Sequence, residues 1–160
     1  MIGDRRNAWG FSIFCDDIRQ EIGGKLSVMG TYVNDMVFPR STTIPLVLPK
    51  FCILVKYFEI FGAFSEDLEM RIFLPTDPPD APTFVQPVPR NAVKDKRKAE
   101  LQIEDDQERV FSVTAPITFA PFPIEKEGFL KVRMACGAAV TNLGSLHIRL
   151  QGQDENLDFT

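Results

Sequence analysis

The densest group of reactive side chains in the sequence is Asp16, Asp17, Arg19 and Glu21. Neighbouring carboxylates hold hard cations such as Ca²⁺ or Mg²⁺, which take several oxygen ligands. They can also divide an acid role and a base role where burial drives their pKa values apart. Either chemistry would make the protein a metal binder or a hydrolase centred on Asp16, Asp17 and Glu21. A structural role competes with both: Asp16 can satisfy backbone donors at a bend while Arg19 pairs with a nearby carboxylate. On an extended backbone Asp16 and Asp17 point to opposite faces, which works against a joint site. The structural role is therefore the expectation, and no catalytic residue, metal ligand or cofactor is assigned.

The remaining candidates are weaker. His147 is the single histidine, so a metal site of several imidazoles is out of reach within one chain. A Ser-His-Asp or Cys-His nucleophile would have to use it, and no Gly-x-Ser-x-Gly elbow accompanies it. Lys94, Lys96, Arg97 and Lys98 can contact phosphates, but Glu100, Glu104, Asp105, Asp106 and Glu108 follow them, as in a solvated charged face. Gly23-Gly24-Lys25 lacks the first glycine, the Ser/Thr and the strand-to-helix setting of a phosphate loop. A calcium module would need loops bearing Asp77, Asp80, Asp105 and Asp106 to meet at one end of the fold. The formal net charge of −4 argues against general affinity for nucleic acid or anionic membrane. Cys15, Cys52 and Cys136 are odd in number, none are spaced as CxxC, and each sits in an apolar pattern. Buried free thiols in a reducing cytoplasm are the expectation.

The elements that must carry these residues are strands. Leu68-Glu69-Met70-Arg71-Ile72, Leu130-Lys131-Val132-Arg133-Met134 and Leu146-His147-Ile148-Arg149-Leu150 alternate apolar and polar residues. That period of two belongs to a half-buried strand. Trp9, Phe11, Ile13 and Cys15 alternate in a first strand; residues 16–22 either extend it through a bulge or make a short helical turn, and the period of Ile18, Gln20 and Ile22 favours extension to a Gly23-Gly24 turn, where glycine accepts a positive φ. Leu26, Val28, Gly30 and Tyr32 share one face of the returning strand. Pro39, Pro45 and Pro49 punctuate a loop-like stretch, and Pro116, Pro121 and Pro123 a second irregular one. Lys50 to Ile60 is apolar on both faces, as expected of a central strand or one beneath an interface. Residues 75–91 hold six of the twelve prolines and predict an exposed connection, because proline lacks the ladder N–H. A further strand is expected through Ala99, Leu101 and Ile103, and the acidic tail from Gly152 is expected to fray.

These signals predict an all-β chain: a single-domain antiparallel β-sandwich of about eight strands over residues 1–160. A closed or partly open β-barrel is the alternative. Met1 to Asn7 contain no apolar segment of the signal-peptide kind, and the longest aliphatic or aromatic run, Phe51 to Val55, is far below the roughly 20 residues of a spanning helix.

Cys15-Asp16-Asp17-Ile18-Arg19, followed by Gly24-Lys25-Leu26, Gly30 and Tyr32, resembles the N-terminal signature of a family of uncharacterised, mostly bacterial proteins. That signature runs Cys-Asp-acidic-Ile/Val-Arg, then Gly-Lys, then a hydrophobic-Gly-aromatic strand. Leu48-Pro49-Lys50 is similar to a second piece of it, and Gly128-Phe129-Leu130 more faintly to its C-terminal part. The resemblance covers residues 14–33 closely and implies a β-rich intracellular protein of unknown function, with no catalytic residues to carry over.

Fourteen Phe against two Tyr and one Trp place large rings without polar tips in a core or an interface. With the two-faced strand at 51–58, this points to a non-catalytic protein acting through protein contacts, by self-association or as a subunit of an assembly. No small-molecule ligand is indicated. The alternating strands generate a direct test. Ile72→Asp or Val132→Asp should unfold the domain, because an unpaired buried carboxylate costs several kcal/mol of a total near 5–15 kcal/mol. Arg71→Ala and Arg133→Ala should shift the thermal midpoint little; a larger loss from the arginine changes would mean that the faces are inverted.

Overall fold

The period-two pattern resolves into eleven strands among the residues that the computed structural model describes, 7–60, 62, 64–89 and 110–153. Four form one sheet: β1 (Ala8–Gln20), β2 (Leu26–Thr31), β5 (Phe51–Ile60) and β8 (Val110–Phe119), in the order β2-β1-β5-β8. Five form a second: β3 (Asp35–Phe38), β6 (Leu68–Phe73), β7 (Phe84–Val88), β10 (Gly128–Cys136) and β11 (Ala139–Leu150), in the order β3-β11-β10-β6-β7. β4 (Leu46–Leu48) and β9 (Phe122–Ile124) make a two-stranded ribbon. The sheets pack face to face and none closes, so the fold is the sandwich and not the barrel. All pairings are antiparallel except β3 with β11, which is parallel and departs from the expectation.

Register decides which side chains meet. Phe14 on β1, Phe51, Ile53, Val55 and Tyr57 on β5, and Phe111 and Val113 on β8 point inward. They face Met70, Ile72, Leu130, Val132, Met134, Leu146 and Ile148 of the five-stranded sheet, all at most 2% exposed. The ring of Phe51 lies 4.7 Å from that of Phe122 and 6.5 Å from that of Phe14, which closes the core at the end where β5 begins. Opposite Tyr57 of its ladder partner β5, β1 carries Gly10, where a Cβ would collide with the Lys56 carbonyl oxygen of its own sheet and sit 2.7 Å from Leu143 Cδ2 of the facing one. Only glycine lets the two sheets approach this closely.

The structure corrects several sequence expectations. The first hairpin is as expected: β1 runs to Gln20, and Gly23 and Gly24 turn the chain with φ of 82° and 74°. The loop-like stretches around the prolines nevertheless contain β3, β4 and β9, short strands too brief to show a period. The exposed connection at 75–91 is also only half right. Its second part is β7, an edge strand whose Phe84 meets Phe119 edge-on at 5.9 Å. Pro87 is tolerated there because an edge strand has one side free of ladder bonds. The strand expected at 99–103, and the charged run before it, lie outside the described residues.

The first part of that connection is tied down by Asp77. Its Oδ2 accepts the backbone N–H of Leu74 at 2.8 Å and of Thr83 at 2.7 Å, and its Oδ1 accepts the Thr83 hydroxyl at 2.6 Å. Burial alone would raise this carboxyl, but the three donors outweigh it and hold Asp77 below the usual carboxylate range. A depressed folded-state pKa stabilises above the unfolded value and ceases to do so as pH falls through the folded one. Asp77→Asn should therefore be less stable than the wild type at pH 7, and the gap in urea midpoint should close as the pH drops below about 4. A gap that stays constant with pH would show that the charge of Asp77 contributes nothing.

Candidate functional site

The carboxylates singled out in the sequence do not meet. Asp16 points toward the rim of the inner face, where its Oδ1 accepts the Tyr32 hydroxyl at 2.6 Å. Its carboxylate lies over Gly30, where a Cβ would come 2.1 Å from Oδ2, so the glycine of β2 makes room for it. Burial, followed by the bond to Asp16 and its charge, pushes the Tyr32 hydroxyl up. Asp16 thus accepts from a phenol, not from the backbone donors expected of it.

Asp17 points the other way, onto the outer face of the four-stranded sheet. Lys50 Nζ donates to its Oδ1, and Arg19 Nε donates to its Oδ2 at 3.0 Å. The Lys50 bond and then the Arg19 bond hold Asp17 below the usual carboxylate range, and the same Asp17 bond raises Lys50. Glu21 lies beyond the strand, accepting the Ser27 hydroxyl at 2.8 Å. The structure therefore joins Asp17 and Arg19, adds Lys50, and sends Asp16 and Glu21 to separate partners. Among the described residues no three His, Cys, Asp or Glu side chains form a metal-holding group.

The other candidates are equally dispersed. His147 stacks on Phe129 at 4.5 Å between centroids, with Nδ1 3.9 Å from Asp35 Oδ1, and Asp35 also accepts Arg149 Nε at 2.7 Å. All three cysteines are free and buried, as expected. Cys15 and Cys52 stand opposite each other on β1 and β5, and burial, then Cys52 and Asp16, push the Cys15 thiol up to about 11. A hollow of about 250 Å³ beside β1 and β11 is lined by Ser12, Asn34, Asn142 and Ser145 and holds no charged side chain.

Sequence reasoning pointed to an interface at strand 51–58 but did not identify the surface to which it belongs. The outer face of the five-stranded sheet carries many charges, Glu69 and Arg71 on β6, Lys131 and Arg133 on β10, His147 and Arg149 on β11, and Asp35 on β3, with Phe129, Val85 and Val140 exposed among them. Glu69 pairs with Arg71, and Arg133 lies 4.9 Å over the Phe73 ring. The outer face of the four-stranded sheet is the opposite. By register it carries Trp9, Phe11 and Ile13 on β1, Met29 on β2, Leu54 and Phe58 on β5, and Pro116 on β8. Trp9 stacks on Phe58 at 5.8 Å and stays 41% exposed, while Phe11 is 47% exposed. Lys56 stands among these side chains, directly opposite Phe11. The signal was present in the sequence as the second apolar face of residues 51–58 and the odd positions of 9–15. Sequence alone does not pair those two strands.

Glu59 was also passed over. It is fully buried on the inner face of β5, and its Oε2 accepts the Tyr57 hydroxyl at 2.8 Å. A carboxylate carried inward by strand alternation needs such a donor.

No protein-family model, curated protein or solved structure matches this chain. Among the described residues no helix is long and apolar enough to cross a membrane.

The separate partners of the carboxylates give a test of the cation chemistry. Asp16→Asn combined with Asp17→Asn should lower the thermal midpoint through lost bonds to Tyr32, Lys50 and Arg19. Millimolar Ca²⁺ or Mg²⁺ should shift neither protein. A cation at 100 times its dissociation constant would add about 2.7 kcal/mol to whatever binds it. A shift confined to the wild type would restore the metal site.

Proposed function

We propose that the protein acts by contact: the outer face of the four-stranded sheet is the surface on which it meets a protein partner, as a subunit of an assembly or by self-association. The observation that carries this reading is the contrast between the two outer faces of one sandwich. A sheet face that only meets water carries mostly polar residues, and the five-stranded sheet comes nearer to this, with exposed Phe129, Val85 and Val140 set singly among its charged side chains. The four-stranded sheet instead exposes Trp9 and Phe11 beside Ile13, Met29, Phe58 and Pro116. Contiguous exposed apolar side chains mark interaction sites, and aromatic residues dominate the energetics of such sites.

The alternative, a metal-binding protein or hydrolase centred on Asp16, Asp17 and Glu21, draws no support from the separate partners of those side chains. Three free buried thiols suit a reducing compartment such as the cytoplasm. That setting agrees with the resemblance of residues 14–33 to a family of uncharacterised, mostly bacterial proteins.

Trp9→Ser combined with Phe11→Ser should lower the thermal midpoint only modestly, because both rings are partly exposed and outside the core. The same variant should lose the association the wild type makes, whether read as mass in sedimentation or as a stoichiometric partner in capture from the native cell. An unchanged association state together with an unchanged partner set would refute the reading.

A further inference from the structure

We infer that the partner presents a carboxylate flanked by apolar side chains, seats that carboxylate on Lys56, and is a different protein, not a second copy of this chain. The inference rests on the contact reading above and adds the chemistry of the occupant. Among the described residues the strands of this outer face carry Arg19, Asp17 and Lys56, Lys50 joins them through Asp17, and Glu21 stands at the hairpin end bonded to Ser27. Asp17 is shared by Lys50 and Arg19. Lys56 has no carboxylate within ion-pair distance among the described residues.

Its position makes that consequential. Lys56 is half-buried on a central strand, between Leu54 and Phe58 along the chain and between Phe11 and Thr114 across the sheet. A partner that covers Trp9, Phe11 and Phe58 also covers the Lys56 stem. The ammonium then loses water, and an uncompensated charge there would oppose binding. A carboxylate set among apolar side chains satisfies both the rings and the cation, and fixes register as well as affinity.

The same charges argue against a second copy. An isologous contact brings identical faces together. Two faces with three cations and one already shared carboxylate each would oppose like charge to like charge. A lipid surface fits less well too, because it is held by several free cations, and among the described residues on these central strands Lys56 is the one without a carboxylate partner.

Panning a phage-displayed random dodecapeptide library on the immobilised wild type, with the Trp9→Ser/Phe11→Ser variant for counter-selection, tests the inference. Enriched peptides should carry Asp or Glu between aromatic or aliphatic residues. A synthetic copy should bind Lys56→Met, which keeps the apolar stem, at least about tenfold more weakly than the wild type, with matching thermal midpoints for the two proteins. Exchanging the acidic residue of the peptide for Lys should restore binding to Lys56→Glu. Peptides that depend on Trp9 and Phe11 but lack an acid, or that bind Lys56→Met equally well, would overturn the inference and leave the contact reading standing. If no enriched peptide depends on Trp9 and Phe11, the contact reading falls and the inference with it. Dimerisation of the wild type that Trp9→Ser/Phe11→Ser abolishes, or binding to phosphatidylserine vesicles that the variant loses, would likewise overturn it.

Discussion

Burial on both sides of β5 is the constraint on which the rest of the structure depends. Phe51, Cys52, Ile53, Leu54 and Val55 are each at most 6% exposed, although consecutive side chains on a strand point in opposite directions. One set, Phe51, Ile53, Val55 and Tyr57, fills the core against the five-stranded sheet. The other, Cys52 and Leu54, stands on the outer face between Cys15 and Ile13 of β1 and Thr118 and Pro116 of β8. A strand with these demands has to be central, flanked on both edges, and β1 and β8 flank it. The ladder to β1 brings Trp9, Phe11 and Ile13 to the same outer face.

That face and its counterpart differ because their flanking strands differ. On the five-stranded sheet the central stretches of β6, β10 and β11 alternate, so most apolar side chains go to the core and most of those facing solvent are charged, with Phe129 and Val140 as exceptions. On the four-stranded sheet both periodic sets of β1 and β5 are largely apolar. Sheet packing uses one set and leaves the other. The surplus is exposed apolar surface, and under the contact reading proposed above Lys56 gives it a sign. Apolar area supplies attraction without direction, whereas one half-buried cation limits which partners can cover it at low cost.

The carboxylates described above are each engaged in structural bonds. Tyr32 ties Asp16 to the hairpin, Asp17 holds Lys50 and Arg19, Asp77 closes the loop before β7, and Tyr57 meets Glu59 in the core. Each carboxylate already accepts the donors around it. A carboxylate poised for chemistry would instead share a cleft with a second group of perturbed affinity for protons. The distribution seen here stabilises turns, rims and edges.

The sequence by itself determined the strand class, the faces of β6, β10 and β11, the first hairpin and the burial of the thiols. Each of these follows from local rules, since alternation and glycine turns act over a few residues. It also separated Asp16 from Asp17, because extended backbone turns adjacent side chains apart. It did not disclose β3, β4 and β9, whose three or four residues are too short for a period, nor β7, where proline hides an edge strand. Only the tertiary structure decided that Trp9 and Phe58 share a face with Lys56. Their nearness arises from a ladder between segments some fifty residues apart, and register across such a separation is set by packing that no local pattern records.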